Sequence, residues 1–566
     1  MIISKINSVS AKNMNANSGL GLQQKVSLKS QKDTVSFGIA PKEFHTDITP
    51  EQAKMIATKL STSTSGLRSK YGNDIFNDKT TSLLTEAISA KVLDDKGSQV
   101  VVVGGDMRHA SKVIVPQIAQ QMKNNGFNVL YVEKPVATPL LALAAKENNA
   151  DVTFLMTASH NPWTDGGYNL LTKKAAVADP HFTEPVIDKA VKIAAGEKVQ
   201  TKTGNVGQII NYDPYPLYKE YLDTKEINGH KIIDFKAIKD AGIDILYDDF
   251  GGTGSYYLPR LLEDHEIPVA KTLRTHTEGP EPNAKNIKTL ASEVQKYPSK
   301  LKIGLANDGD SDRFGIVDEK GNYIPANDIL LLMAYHLNKN KGYKKGAILR
   351  SGATSSQLDL FAKKNGLDLI ITPVGFKYIG EEMIKLENEG NMAVLGGEES
   401  GGLTIGGHIP EKDGFVATLA MAELMAHEKK PLSQILKEVK ESLGTEVKNS
   451  LTSYIVPDKH AFFGEFKKIY DDAISGKRKE LFGMPLDAKR MKSEFETVAQ
   501  FKKGGDGVKI CFENGSSMLV RLSGTEDIAK VYKELYFKTP QEAKETMTAI
   551  ENGVEAIAKK FNARAK

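Results

Sequence analysis

The chain has 566 residues, 40% of them hydrophobic and 26% charged, with a formal net charge of +4. That length exceeds what one hydrophobic core organises, so several domains are expected, and so small a net charge lends no support to a nucleic-acid or membrane-surface binder. No uninterrupted apolar stretch reaches the length of a transmembrane helix, and the N-terminus lacks the apolar core of a signal peptide, which predicts a cytoplasmic protein.

Residues 1–40 are rich in Ser, Asn, Gln and Lys without an apolar period and read as a solvated tail. Four domains are expected after it, at 41–222, 223–340, 341–455 and 456–566. The first three share a pattern: a β-rich run, a Gly-containing loop and an amphipathic helix, a second such unit, then a third strand ending in a polar loop. The copies begin at 100–103 with Gly104 and Gly105, at 243–246 with Gly251 and Gly252, and at 347–349 with Gly352. This alternation predicts mixed α/β units with largely parallel strands. Loops at the carboxyl ends of such strands bind ligands, so the three polar loops should meet in one cleft.

In the first copy the apolar run Val152, Phe154, Leu155, Met156 opens into Thr157-Ala158-Ser159-His160-Asn161-Pro162. Adjacent residues of an extended chain point to opposite sides, which sets His160 away from Ser159 as its base. By itself the segment reads as a polar turn closed by Pro162. In the second copy Asp308, Asp310 and Asp312 alternate, so an extended segment turns all three carboxylates to one side. Such a cluster needs a cation, and oxygen-only ligands suit a hard ion, Mg²⁺ being usual where phosphate supplies the remaining ligand. With Glu319 the spacing imitates an EF-hand calcium loop, but Arg313 stands where that loop needs glycine, and the flanks look like strands rather than helices.

The third copy ends in Gly396-Gly397-Glu398-Glu399-Ser400-Gly401-Gly402, a grouping suited to vicinal sugar hydroxyls, with a Gly-rich turn as the plain alternative. After about Leu451 the pattern turns helical, passes a polar insertion around 475–494 and reaches strands at 508–512 and 517–520. The lone Cys511 lies in the first of these runs, where packing is its expected role. Arg521-Leu522-Ser523-Gly524-Thr525-Glu526 then offers a guanidinium, two hydroxyls and backbone N–H groups freed by glycine, a workable phosphate cradle or an ordinary strand-to-helix turn.

In this order and at these intervals the Ser159, Asp310, Glu399 and Arg521 loops resemble the four signature loops of the α-D-phosphohexomutase family, from about Thr62 to near the C-terminus. The resemblance implies a heart-shaped four-domain α/β architecture, three similar mixed α/β domains followed by a smaller α+β C-terminal domain. It implies an enzyme in which Ser159 carries a phosphoryl group and supplies an oxygen to Mg²⁺ beside Asp308, Asp310 and Asp312. The implied reaction interconverts glucose 1-phosphate and glucose 6-phosphate, with glucose 1,6-bisphosphate as intermediate and activator. Glu399 and Ser400 take the positions that bind the 3- and 4-hydroxyls of the sugar, and Arg521, Ser523, Gly524 and Thr525 those that hold the phosphate that does not react.

Thr64-Ser65-Gly66-Leu67-Arg68 resembles the family's N-terminal cleft segment, which makes Arg68 a candidate for the transferring phosphate beside Arg313 and His160. The segments 372–377, with Lys377, and 407–414, with His408 and Lys412, resemble those of its phosphoglucomutase branch. Asn169 departs from the family, standing where many members carry an acid–base lysine, so that role passes to Lys412 or His160. Leu522 and Asp527 replace usual prolines, and Asp527 adds negative charge near an anion site.

A phosphomannomutase or dual-specificity enzyme is the nearest alternative, since Glu399 and Ser400 would read hydroxyls that glucose and mannose share. Phosphoglucosamine mutases usually show Gln-Ser-Gly-His where this chain has Glu399-Ser400-Gly401-Gly402. A metal-dependent sugar phosphatase and a non-catalytic sugar-phosphate binder are more remote. The expected partner is a hexose phosphate, with no nucleic acid and no membrane; nothing in the residues speaks to oligomeric state.

Overall fold

The computed structural model describes residues 47–63, 66–198, 207–499, 507–523 and 527–566. Its first sheet comprises β1 (Leu67–Lys70), β2 (Val100–Gly105), β3 (Asn128–Tyr131), β4 (Val152–Met156), β5 (Asp165–Thr172) and β6 (Ile209–Asn211), in the order β1-β5-β4-β2-β3-β6. A ribbon of β7 (Glu226–Ile227) and β8 (His230–Lys231) precedes the second sheet. That sheet holds β9 (Asp244–Asp248), β10 (Val269–Leu273), β11 (Lys302–Asn307), β12 (Phe314–Val317) and β13 (Tyr323–Ile324), ordered β10-β9-β11-β12-β13. The third contains β14 (Ala347–Ser351), β15 (Asp368–Thr372), β16 (Ala393–Gly397) and β17 (Leu403–Ile405), ordered β15-β14-β16-β17.

One four-strand motif therefore recurs as β3-β2-β4-β5, β10-β9-β11-β12 and β15-β14-β16-β17. Its first three strands are parallel and its fourth returns antiparallel. Every residue of β4, β11 and β16 is buried, as expected of central strands covered on both faces. The three polar loops occupy the hairpins that follow these strands.

The C-terminal sheet differs in kind. It contains β18 (Glu446–Ile455), β21 (Val508–Cys511), β22 (Ser517–Leu522), β23 (Ile528–Phe537) and β24 (Arg564–Ala565), ordered β21-β22-β23-β18-β24. It is antiparallel throughout, with a side ribbon of β19 (Glu480–Leu481) and β20 (Met484–Pro485). β18 pairs along its whole length with β23, so the boundary expected after 455 falls behind this strand rather than ahead of it. Its burial alternates weakly, with Leu451 and Ile455 exposed, and the period-2 signal is correspondingly faint. The boundary expected after 340 likewise falls behind the helix Ala326–Asn340, which packs on β16 and on the helix Gln357–Asn365 of the third unit.

Packing follows the same division. The helix Gly414–Glu428 buries every residue from Gly414 to Ala426, and a helix apolar all round must be surrounded. It lies against β11, β12 and β17 and against the helices Phe235–Ala241 and Ala326–Asn340. Around it one hydrophobic core runs through all three α/β units, including Leu155, Leu305 and Leu395 of the three central strands. The C-terminal domain has its own core, with Ile510, Met518, Val520 and Val531 from the sheet meeting Phe462, Phe466 and Ile550. Cys511 is buried there, its thiol pushed up to about 12 by burial, in keeping with a packing role. Among the described residues no helix is long and apolar enough to cross a membrane.

Candidate active site

The loop after β4 does not continue the strand. Ser159 takes a left-handed backbone conformation, φ 49°, which disfavours any residue with a Cβ and persists only where the surroundings over-determine it. Its N–H donates to Thr157 Oγ1 at 2.8 Å, and its fully buried Oγ donates to Asp308 Oδ2 at 2.6 Å. The same turn brings His160 Nδ1 to 3.3 Å from Ser159 Oγ. The expectation that these neighbours point apart therefore fails, because it assumed an extended chain. Burial, and after it the charges of Arg313 and Arg68, hold His160 well below the ordinary imidazole range.

The Asp loop also departs from an extended strand. Ser311 N–H closes a turn onto the Asp308 carbonyl at 3.1 Å, and Ser311 has φ 59°. The carboxylates of Asp308, Asp310 and Asp312 thus converge through a turn, not through strand alternation, with one oxygen of each within 4.8 Å of the others. Asp308 Oδ1 accepts from Arg313 N–H at 3.1 Å, Asp310 Oδ2 from Thr138 Oγ1 at 2.9 Å, and Asp312 Oδ2 meets Lys412 Nζ at 2.8 Å. Asp310 Oδ1 and Asp312 Oδ1 are buried with no hydrogen-bond partner among the described residues.

Burial, reinforced by Asp312, raises Asp308 to about 6; burial, then Asp312 and Asp308, raises Asp310 well above the carboxylate range. Asp312 stays below it because Lys412 and Arg313 outweigh its burial. Like charges about 4 Å apart repel by about 4 kcal/mol at an effective dielectric near 20. An oxygen-ligated divalent cation relieves that repulsion and engages both orphaned oxygens, so this donor set fits a hard ion. Glu319, which an EF-hand would turn inward, instead accepts from Ser433 Oγ, and β11 and β12 flank the loop as an antiparallel pair.

Above these loops lies a cavity of about 400 Å³, the size of a small-molecule site. His160 of the serine loop, Asp310, Asp312 and Arg313 of the Asp loop, and Glu398, Glu399 and Ser400 all face it. Arg313 joins the second and third units through a bridge to Gly402 and a contact of Nη1 to the Ser400 carbonyl at 3.4 Å. Glu399 accepts from Ser351 and Thr354 hydroxyls at 3.1 and 3.3 Å. Glu398, absent from the expected set, accepts from Gly375 N–H at 2.7 Å, and burial beside Glu399 raises it to about 7.

Arg68 and Lys412 also line the cavity. Burial lowers Arg68 against the pull of Asp310. Lys412 lies between Asp312 and Glu411, at 2.8 and 2.6 Å, and these carboxylates raise it far above the ordinary ammonium range despite its burial. Asn169, in place of the usual lysine, lines the wall while its Nδ2 donates to the Thr157 carbonyl at 2.6 Å.

The C-terminal domain brings Arg521 to the cavity together with two residues the sequence did not single out, Lys530 and Tyr532. Arg521 on β22 stands opposite Lys530 on β23, and Tyr532 follows on the same face two residues later. Strand pairing therefore builds the cationic wall.

Five expected residues are not among those lining the cavity: Ser159 and Asp308, both fully buried, and His408, Lys377 and Ser523. His408 is buried with Nε2 2.8 Å from Asp413 Oδ2 and its ring against Tyr221, which makes it part of the frame beneath helix Gly414–Glu428. Lys377 is buried with Nζ 3.4 Å from the Ser63 carbonyl, at the seam with the first unit. Ser523 closes a turn, its N–H donating to the Ile528 carbonyl at 2.8 Å. Gly524 and Thr525, like Thr64 and Ser65, lie outside the described residues.

Family models described as phosphoglucomutase/phosphomannomutase, alpha/beta/alpha domains I, II and III, match residues 59–197, 219–321 and 325–442. A phosphoglucomutase/phosphomannomutase of Thermococcus kodakarensis is 28% identical over 462 residues, 79% of this chain and 88% of that protein. A phosphoglucosamine mutase of Carboxydothermus hydrogenoformans is 28% identical over 368 residues, 62% of this chain and 76% of that one. The fold is also that of a Paramecium phosphoglucomutase, pp63/parafusin in its open form, with a TM-score of 0.70 at 22% identity, covering 89% of this chain and 96% of that one. Three successive domain matches, the thrice-repeated sheet motif and the C-terminal fourth domain agree: the chain belongs to the α-D-phosphohexomutase family, enzymes that act as intramolecular phosphotransferases.

Proposed function

We propose that this chain interconverts glucose 1-phosphate and glucose 6-phosphate through phospho-Ser159 and a bound glucose 1,6-bisphosphate. The observation that carries the reading is Ser159 Oγ held 2.6 Å from Asp308 Oδ2 at the head of the Asp trio. Its neighbours His160, Asp310 and Asp312 line the same cleft as a hydroxyl-reading loop and a second cationic wall. Asp308, Asp310, Asp312 and an oxygen of the phosphorylated serine would hold Mg²⁺, which when bound neutralises charge on the phosphoryl group in transit.

The chain's own residues account for the remaining work. Arg68 and Arg313 present guanidinium groups to the transferring phosphate, while Glu399 and Ser400 orient the sugar through its vicinal hydroxyls. Lys412, an ammonium between two carboxylates, donates hydrogen bonds to substrate oxygens. His160, next to the reacting serine, is the better placed group to accept the proton of the attacked hydroxyl. Arg521 and Lys530 retain the unreactive phosphate. One cleft then has two anion sites, which a bisphosphate requires when it exchanges its ends.

Glucose is favoured by the likeness of 372–377 and 407–414 to phosphoglucomutase segments, the first of which contributes Val374, Gly375 and Phe376 to the wall. A dual glucose and mannose specificity is the second reading, since Glu399 and Ser400 stand where hydroxyls common to both sugars bind, and the Thermococcus relative bears both names. A coupled assay of glucose 1-phosphate against mannose 1-phosphate, with and without the matching 1,6-bisphosphate, tests both. Turnover of glucose 1-phosphate that rises with added bisphosphate is expected; free phosphate as the main product would sink the mutase reading.

A further inference from the structure

We infer that Arg108 is a positioning residue for the phosphorylated serine: its guanidinium gathers the carbonyls of the Ser159 loop and so sets the direction of Ser159 Oγ. The inference rests on the reading of Ser159 as the phosphoryl carrier and adds to it a group that never touches substrate. Arg108 is 1% exposed and uses the whole fork. Nη2 donates to the carbonyls of Ser159 and Asn161 at 2.6 and 2.7 Å, Nη1 to those of Pro162 and Asp165 at 2.5 and 3.0 Å, and Nε to Asp106 Oδ2 at 3.0 Å. The guanidinium carbon also lies 5.1 Å from the Trp163 ring.

Asp106 ties the other side of the same turn. Its Oδ2 accepts from Thr157 Oγ1 at 2.7 Å, and Thr157 Oγ1 in turn accepts the Ser159 N–H at 2.8 Å. The Ser159 peptide is thus gripped at its N–H through Thr157 and Asp106 and at its carbonyl by Arg108. A residue so held has little freedom to leave the left-handed conformation, and in that conformation Oγ points at Asp308. A buried ion pair is weak evidence for net stability, whereas a planar fork that meets four carbonyls and a carboxylate fixes geometry in a way an ammonium cannot. Displacing a reacting atom by about 1 Å costs on the order of 100-fold in rate.

The test uses the full-length chain with Mg²⁺. Dephosphorylated parent and Arg108→Lys protein are mixed with glucose 1,6-bisphosphate, and the single-turnover rate of phosphoryl gain on Ser159 is followed by intact mass. Binding of the bisphosphate is measured separately by calorimetry. Arg108→Lys should lower the transfer rate by about 100-fold while the bisphosphate dissociation constant stays within about threefold, a split that general unfolding would not give. Thr157→Val, which removes only the grip on the N–H, should lower transfer by about tenfold and keeps the test decisive where Arg108→Lys does not fold. Parental transfer rates in folded Arg108→Lys, or in Thr157→Val if it alone folds, overturn the inference. A parent that takes no phosphoryl group from the bisphosphate overturns the underlying phosphoserine reading instead.

Discussion

The three α/β units and the C-terminal domain both supply cations and hydroxyls to one cavity, yet they are packed in different ways. The serine, Asp and Glu399 loops all stand on strands that share a continuous core around the helix Gly414–Glu428. Arg521, Lys530 and Tyr532 stand on a sheet with a separate core. Part of the seam to the third unit is polar: Glu534 accepts from Ser356 N–H at 2.8 Å and from its hydroxyl, and Ser356 Oγ lies 2.7 Å from Tyr536 Oη. On the proposed reading, groups that must meet to within a fraction of an ångström for phosphoryl transfer are built into one body, and groups that would hold the far end of the substrate are carried by another. The division predicts that substitutions in the shared body strike the chemistry and substitutions in the C-terminal domain strike retention.

The largest effect should come from Ser159→Ala. With the phosphoryl carrier gone, mutase activity should fall by about 10⁴-fold or more, and peptide mapping should find no phosphate on the 157–162 loop. An alanine variant with parental activity ends the phosphoenzyme account and the comparison with it.

Asp310→Asn comes next. It removes a charge and alters a carboxylate whose Oδ1 has no partner among the described residues, so Mg²⁺ affinity and rate should each drop by on the order of 100-fold, the upper range for perturbed metal sites. Calorimetric titration of Mg²⁺ reads affinity apart from turnover. Unchanged affinity in the variant would place the ion elsewhere.

Arg521→Ala tests the other side. Loss of charge-assisted hydrogen bonds worth about 1.5–3 kcal/mol corresponds to about 10- to 100-fold, expected in KM and in the bisphosphate needed for full activity rather than in single-turnover transfer. Released glucose 1,6-bisphosphate should accumulate in the variant's reaction. An equal fall in the transfer rate would show that the separately packed domain serves the chemistry after all.

A smaller effect belongs to Glu398 in the shared body. Burial beside Glu399 raises it to about 7, against about 4.3 for an unperturbed glutamate. The folded protein therefore binds more protons than the unfolded chain between these values, and its stability falls as pH rises through that window. Glu398→Gln should flatten this part of the profile, lessening the loss of melting temperature between pH 5 and pH 8. A variant whose profile matches the parent's shows that Glu398 ionises normally.

These contrasts also mark what the sequence could reveal. The central strands were readable because Val100–Gly105 and Val152–Met156 are near-continuous apolar runs, and a motif at a strand's end needs no long-range pairing to be placed. β18 was harder to read because its half-exposed face blurs the alternation. The convergence of the Asp trio was legible and its route was not: any path that brings three carboxylates together satisfies the pattern, and here a turn does so. Arg108 carries no local sequence signal, and its role emerges only where the fold closes the 159–165 segment over it. Lys530 and Tyr532 join the site only through the β22–β23 register, which no local spacing encodes. His408 sits in a segment of the right type yet turns inward to Asp413, and only packing decides that direction.

The smallest effect, and the sharpest probe of the division, lies at Glu534. Its carboxylate receives both donors of Ser356, and Gln at this site keeps one good acceptor while losing the charge that strengthens the pair. The net difference between a charged and a neutral hydrogen bond is about 1 kcal/mol, a few-fold in the docking of the C-terminal domain onto the third unit. Glu534 is more than ten residues from Arg521 in sequence but on the strand paired with it, so looser docking reaches the cavity as a less well-placed cationic wall. Glu534→Gln should therefore raise the bisphosphate requirement by about threefold and leave phosphoryl transfer from saturating bisphosphate to Ser159 at the parental rate. Transfer slowed as much as retention would mean that the two bodies act as one, and the polar seam would then be part of the catalytic frame.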